Sequence, residues 1–233
     1  MIRLLLFYCT LSLSLLACNQ SASNEESASE HGPQPGHEAN EHMHQQDFGE
    51  MLKNFESEER IAYQKPDEVL AWMGDLRGKL FADIGSGTGF FSFRLVEQGA
   101  RVIAIDIDER FQQFIQNRKE ALKLSDQVIQ TRLTSPDTPS LKQGEVDGAL
   151  IVNTYHHIEN RPDYFSEVRK GLKENGALYV VDFFKKESEH GPPASMRLAS
   201  DVVVEELKKA GFTKFEVETE LLPEQYIIKA SVQ

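Results

Sequence analysis

The sequence predicts an α/β fold: a mostly parallel sheet with helices on both faces and an antiparallel strand pair at its end. Three observations predict it. Apolar runs such as Gly148-Ala149-Leu150-Ile151-Val152 read as strands buried on both faces. These runs alternate with segments of helical length, the order that lays helices over a parallel sheet. The last two runs have only a short link through Leu222-Pro223-Glu224 between them, with no room for a crossover helix, so they should be antiparallel.

Each element follows in chain order. Helical character runs from about Met51 to Ala62 and again from Pro66 to Met73, Pro66 suiting a first helical turn. Lys79 to Ile84 is a short buried strand, and Gly89 to Glu97 is helical. Arg101 to Asp106 is the second strand, followed by a helix over Glu109 to Leu124. Val128 to Thr131 is a weaker third strand, and Gly148 to Val152 a fourth. A helix over Arg161 to Leu172 leads to a fifth strand, Ala177 to Asp182. Asp201 to Ala210 is helical and stops at Gly211. Phe215 to Leu221 and Gln225 to Ala230 are the closing strands.

The amino-terminal residues differ in kind. Arg3 precedes an apolar stretch from Leu4 to Leu16, shorter than the roughly 20 residues of a membrane-spanning helix. A secretory signal is the expectation, with an ordinary cleaved signal or an uncleaved anchor as alternatives. Leu15-Leu16-Ala17-Cys18 resembles the lipobox of bacterial lipoproteins, which implies residues 1–17 are removed and Cys18 carries lipid. Asn19 after it resembles outer-membrane sorting, so the expected location is the cell envelope, on the periplasmic side. With Cys9 in the signal, the mature domain has no thiol for a disulfide, zinc-thiolate site or nucleophile.

Residues 18–50 are rich in Ser, Glu, His, Gly and Pro and hold no Lys or Arg, so a flexible acidic tether is expected, with the folded domain spanning 51–233. His31, His37, His42 and His44 lie in the tether; they are read as incidental to a spacer, the alternative being a metal-binding tract. The net charge of −12 argues against general nucleic-acid binding.

The stretch Ala82-Asp83-Ile84-Gly85-Ser86-Gly87-Thr88-Gly89 marks the candidate site, where the first strand turns into a helix. Ligands of open α/β sheets lie at the carboxyl ends of strands. Glycines there let the backbone approach a ligand and adopt turns that a side chain forbids. The spacing D-x-G-x-G-x-G is not the G-x-G-x-x-G of dinucleotide folds, and no Gly-Lys-Ser/Thr follows to hold phosphates. Asp106 ends the next strand, where a carboxylate accepts hydrogen bonds from ribose hydroxyls. A nucleoside with a non-phosphate tail fits both features, and S-adenosyl-L-methionine is such a molecule. Ser86, in the loop, and Ile107, after the carboxylate, join this cofactor set. The bland alternative is a tight strand–helix turn with an ordinary strand-end acid.

LFADIGSGTGFFSFRL, RVIAIDID, LKENGALYVVDF and ELKKAGF resemble the successive motifs of class I S-adenosylmethionine-dependent methyltransferases, over about Phe55 to Ala230. ERIAYQKPDEVL, VNTYHHIENRPDYFSEVRKGL, the HGPP turn and LPEQYII extend the likeness to a subgroup of exported or lipoprotein methyltransferases with generally unassigned substrates. The resemblance implies a Rossmann-like fold whose seven-stranded sheet takes its last strand antiparallel. It implies that Asp83, Gly85, Gly87 and Gly89 form the cofactor loop and Asp106 takes the ribose. It also puts Thr134-Ser135-Pro136-Asp137 against the adenine, with Asp137 or a backbone amide meeting the exocyclic amine, and Asn153 beside the methyl donor.

For the chemistry, Tyr155, His156 and His157 follow the most apolar strand and should emerge beside the cofactor. Either histidine suits a base or a metal ligand, and Tyr155 suits pocket shaping or a cation–π contact with the sulfonium. Packing and backbone hydrogen bonding are the competing roles of all three. Tyr63, His190-Gly191-Pro192-Pro193 and Gln225-Tyr226 are further candidates for the acceptor side. No metal site is expected in the folded domain. Cysteine-dependent arsenite methylation is unlike this chain, and Asn153-Thr154-Tyr155-His156 replaces the Asn-Pro-Pro-Tyr of base and glutamine methylation. The expected activity is methyl transfer to a small-molecule or lipid-like acceptor. The alternatives are a non-catalytic nucleoside-binding lipoprotein and a metal-handling one.

Overall fold

The structure is a computed structural model and describes residues 47–232. The signal, the lipobox with Cys18 and most of the tether, including its four histidines, lie outside the described residues. The elements in order are α1 (Phe48–Phe55), α2 (Glu58–Gln64), α3 (Pro66–Met73), β1 (Leu80–Ile84), α4 (Phe90–Glu97), β2 (Arg101–Asp106), α5 (Glu109–Ala121), β3 (Ile129–Leu133) and β4 (Val146–Val152). A 3₁₀ turn (Tyr155–His157) follows, then α6 (Arg161–Gly171), β5 (Leu172–Phe183), a second 3₁₀ turn (Ala194–Met196), α7 (Ser200–Lys209), β6 (Lys214–Glu218) and β7 (Gln225–Ser231).

The strands form one seven-stranded sheet in the order β3-β2-β1-β4-β5-β7-β6. The first five are parallel to their neighbours, and β7 runs antiparallel to both β5 and β6. This is the Rossmann-like arrangement expected from the sequence, seven strands with the last one antiparallel. Strand order reverses between β1 and β4, so a crevice opens at their carboxyl ends.

Alternation along the strands sorts side chains into two cores. Ala82, Ile84, Ile103 and Ile105 pack with Phe165, Val168, Val203 and Leu207 from α6 and α7. Phe81, Val102 and Ala104 pack on the other face with Leu70, Phe90, Phe93 and Ile115 from α3, α4 and α5. Each fully buried Leu, Ile or Phe contributes roughly 1.5–3 kcal/mol, so both helical layers are needed to cover the sheet.

Several boundaries differ from the sequence reading by a few residues, and two of the differences shape the wall of the cleft. The single helix expected over Met51–Ala62 is two helices. Glu56 and Ser57 break it, and Ser57 Oγ accepts from Arg60 N at 3.1 Å as the cap of α2. Helix α1 also begins at Phe48, inside the stretch assigned to the tether, because Asp47 caps it and Met51 is buried.

Candidate functional site

The crevice is a cleft of about 1020 Å³ walled by α1 and α2, the loops after β1, β2, β3 and β4, and the segment after β5. Ligand pockets usually measure about 300–1,000 Å³, so the cleft has room for a cofactor and a second molecule.

The glycine loop forms its floor. Gly85 N and Ser86 N both donate to Ile105 O, at 2.9 and 3.0 Å, which ties the loop to β2. Gly85 has φ +70°, and a Cβ there would lie 2.4 Å from Thr154 Cγ2, so only glycine lets the β1 and β4 loops meet. Asp106 braces the loop from the side. Its Oδ2 accepts from Gly87 N at 2.8 Å and its Oδ1 from Asp108 N at 3.0 Å. Burial pushes the Asp106 carboxyl up, and those backbone donors pull it part of the way back. A carboxylate offers about four lone-pair sites, so capacity remains for two ribose hydroxyls. Ser86 Oγ is buried in the loop with no hydrogen-bond partner among the described residues. A buried orphan hydroxyl beside a half-used carboxylate fits a polar ligand seated on this turn. Ile107 and Asp137 line the outer rim, with Thr134 Oγ1 closing its loop on Thr138 O at 2.8 Å.

Two residues of the expected cofactor set sit off the cleft surface. Gly89 caps α4 at φ +77°. Asp83 points beneath α4, where Ser92 Oγ donates to it at 2.6 Å. Burial pushes its carboxyl up to about 6, while Ser92 and the Arg60 charge hold it down and Asp106 adds to the rise. The sign follows. A folded value above the unfolded value near 3.8 means the native state binds the proton more tightly, so stability falls as pH rises from about 4 to 6 and is level above. Relative to Asp83→Asn, the wild type should therefore lose on the order of 2–3 kcal/mol across that window, read by urea unfolding at each pH. A difference that stays constant with pH would show that Asp83 is not the titrating group.

The β4 loop separates the three candidate catalytic residues. Tyr155 is a correction. It is fully buried on the core face, stacked on Phe165 with ring centres 4.6 Å apart, and its hydroxyl donates to Glu206 at 2.9 Å. The 3₁₀ turn sends its first side chain into the α6–α7 layer and the next two to the cleft. His156 and His157 line the cleft with ring centres 4.4 Å apart. Asn153 also lines it, at φ +54°, but its Oδ1 accepts from Gln225 Nε2 and Gln64 Nε2. Gln64 also donates to Gln225 Oε1 at 2.9 Å, and both glutamines are fully buried. This amide trio fastens the β4 loop to α2 and β7.

The acceptor side is aromatic. Tyr63 lies 5.9 Å from Phe183 and stacks on His190 at 4.4 Å. His190 Nδ1 faces Glu224 Oε2 and its Nε2 faces Glu59 Oε1, both at 2.9 Å. Partial burial lowers the imidazole's proton affinity, but the two carboxylates outweigh it and the net direction is up. Gly191 and Pro192 line the cleft.

Sequence reading missed Asp182 and Arg60. Asp182 is the penultimate residue of β5 and holds His156 Nδ1 at 2.9 Å; an acid near the end of a strand, the signal that marked Asp106, marks it too. Arg60 reaches the cleft only because α2 restarts at Ser57; its guanidinium lies 4.2 Å over Phe90 and donates to Gln64 Oε1 at 2.7 Å. Burial lowers it to about 10, so it stays charged at neutral pH. The capping pattern Ser57-Glu58-Glu59 was the only local sign of it.

Residues 82–180 match the family described as a methyltransferase domain, from the glycine loop through β5. A demethylmenaquinone methyltransferase of Tropheryma whipplei is 31% identical over 111 residues, 48% of this chain and 44% of that protein. A tRNA U34 carboxymethyltransferase of Cellvibrio japonicus is 29% identical over 117 residues, 50% of this chain and 36% of that one. The chain thus spans less than half the length of these relatives. A SAM-dependent methyltransferase structure from Aquifex aeolicus superposes with TM-score 0.73 at 22% identity, covering 81% of this chain and all of that one. Residues 82–180 are thus similar to a methyltransferase domain, and the chain shares the fold of S-adenosylmethionine-dependent methyltransferases.

Proposed function

We propose that this chain is an S-adenosylmethionine-dependent methyltransferase acting on a small-molecule or lipid-like acceptor, tethered to a membrane through lipid on Cys18. One observation carries the activity: the buried Asp106 carboxylate braces the glycine loop at the strand-order reversal and retains capacity for ribose. The bound cofactor would supply an activated methyl group on a cationic sulfur. The chain's own part is orientation and exclusion of water, which bring much of the rate in such displacements. Ser86 and the loop amides would hold the cofactor, Asp137 its base, and Asn153 the wall beside the methyl group. The tether rests on the Leu16-Ala17-Cys18 pattern alone.

Calorimetric titration with S-adenosylmethionine and with NAD tests the cofactor. Binding of the first at about micromolar Kd, and none of the second, is the expected result. Turnover is then read as S-adenosylhomocysteine formed with acceptor extracts. Binding without turnover would favour a non-catalytic nucleoside binder, and no binding by folded protein would end the methyltransferase reading. Metabolic labelling with a fatty acid, lost in Cys18→Ala, tests the tether.

A further inference from the structure

We propose that His156, held by Asp182, is the general base of the transfer, and that the acceptor presents an ionisable hydroxyl of the phenol type to it. This rests on the methyltransferase reading above and names the acceptor chemistry of the same cleft.

The pair is buried and rigid. Asp182 is 1% exposed and His156 2%. The two Asp182 oxygens lie 3.1 and 2.9 Å from His156 Nδ1, and Oδ1 also accepts from Phe183 N at 2.8 Å. A carboxylate fixed by its own backbone near the end of a central strand keeps the proton on Nδ1. The lone pair of the neutral ring is then on Nε2, and His156 lines the cleft. The carboxylate orients the ring and stabilises the imidazolium that forms, while never touching the acceptor; Asp182 is thus a positioning residue.

The surroundings select the acceptor. A neutral amine attacks with its own lone pair and needs an oxygen to orient its N–H groups. The amide oxygen of the motif, Asn153 Oδ1, already accepts from Gln225 and Gln64. A hydroxyl is a weak nucleophile until it loses its proton, which is the service a held imidazole performs. Phe183 follows Asp182 directly, and its ring, tilted at 42° to that of Tyr63 with centres 5.9 Å apart, makes with it an aromatic side of the cleft against which an aromatic acceptor can pack edge-on. In the step, the hydroxyl proton passes to Nε2, the oxygen bonds to the methyl carbon, and the carbon–sulfur bond breaks with its electron pair left on sulfur. The products are a methyl ether, S-adenosylhomocysteine and imidazolium, and the charge balances.

The probe is 4-nitrophenol, whose phenolate absorbs visibly, added to protein saturated with S-adenosylhomocysteine. The bound probe should ionise at a pH at least one unit below that of the free probe. Asp182→Asn and His156→Asn should abolish that shift while S-adenosylhomocysteine affinity stays within threefold, and Asp182→Glu should restore part of it. If Asp182→Asn does not fold, His156→Asn against wild type decides. Failure to bind S-adenosylhomocysteine would overturn the parent reading instead. Cofactor binding with no probe uptake, an unshifted probe, or a shift that survives in His156→Asn would overturn this proposal.

Discussion

Arg197→Met is expected to remove about 3–5 kcal/mol of folding stability. Arg197 is 2% exposed although it sits in the connection after β5. Its Nε donates to Pro192 O at 2.6 Å, Nη1 to Lys186 O and Ser188 Oγ, both at 2.7 Å, and more loosely to Phe184 O, and Nη2 to His190 O at 2.8 Å. The guanidinium carbon also lies 5.0 Å over the Phe183 ring. Three nitrogens in one rigid plane thus gather four carbonyls and one hydroxyl of a segment whose one described element is a short 3₁₀ turn. Methionine keeps most of the stem volume but takes the guanidinium from Pro192 O and Lys186 O, at about 1–3 kcal/mol for each that water does not reach, while Phe184 O and His190 O keep bonds from Lys186 N and Ser188 Oγ. The total stays below their sum because the segment relaxes outward. Urea unfolding should show a lower midpoint with little change in slope. A loss under about 1 kcal/mol would mean that water replaces the guanidinium at no net penalty. Gly191, Pro192 and Met196 wall the cleft, so acceptor binding should weaken along with stability.

Asp106→Ala is expected to lower S-adenosylmethionine affinity by at least about 100-fold while the fold persists. Two charge-assisted hydrogen bonds to ribose are worth about 1.5–3 kcal/mol each, or about 3 kcal/mol at the low end, which is the stated factor. Folding is less affected because two opposing changes meet at this residue. Removing the carboxylate frees Gly87 N and Asp108 N, which lose their acceptor, and also ends the burial that drives the carboxyl upward. Asp106→Asn should fall between the two, since an amide oxygen accepts but carries no charge. The checks are calorimetric affinity and thermal midpoint on the same preparations. Affinity within threefold of wild type would remove Asp106 from the cofactor site, and a collapse of the midpoint would make it a loop-bracing residue first.

The sequence by itself determined the alternation of strands and helices, the glycine turn after β1 and the acid that ends β2. These are local signals: a buried strand reads as a run of apolar residues, and a positive-φ turn demands glycine where it occurs. Gly211 at the end of α7 was legible for the same reason. Tertiary structure decided what lies across from what. The insertion of β7 between β5 and β6 brings Gln225 to Asn153, and the pairing of β4 with β5 brings Asp182 to His156, 26 residues away. The restart at Ser57 turns Arg60 and Tyr63 over the cleft, and the 3₁₀ turn hides Tyr155 in the core while presenting the residue after it. Which of these residues meet has no local signature beyond the Ser57 cap and the acid near the end of β5, because strand order and register are set by which faces bury together, a property of the closed sheet and its two helical layers rather than of any one segment.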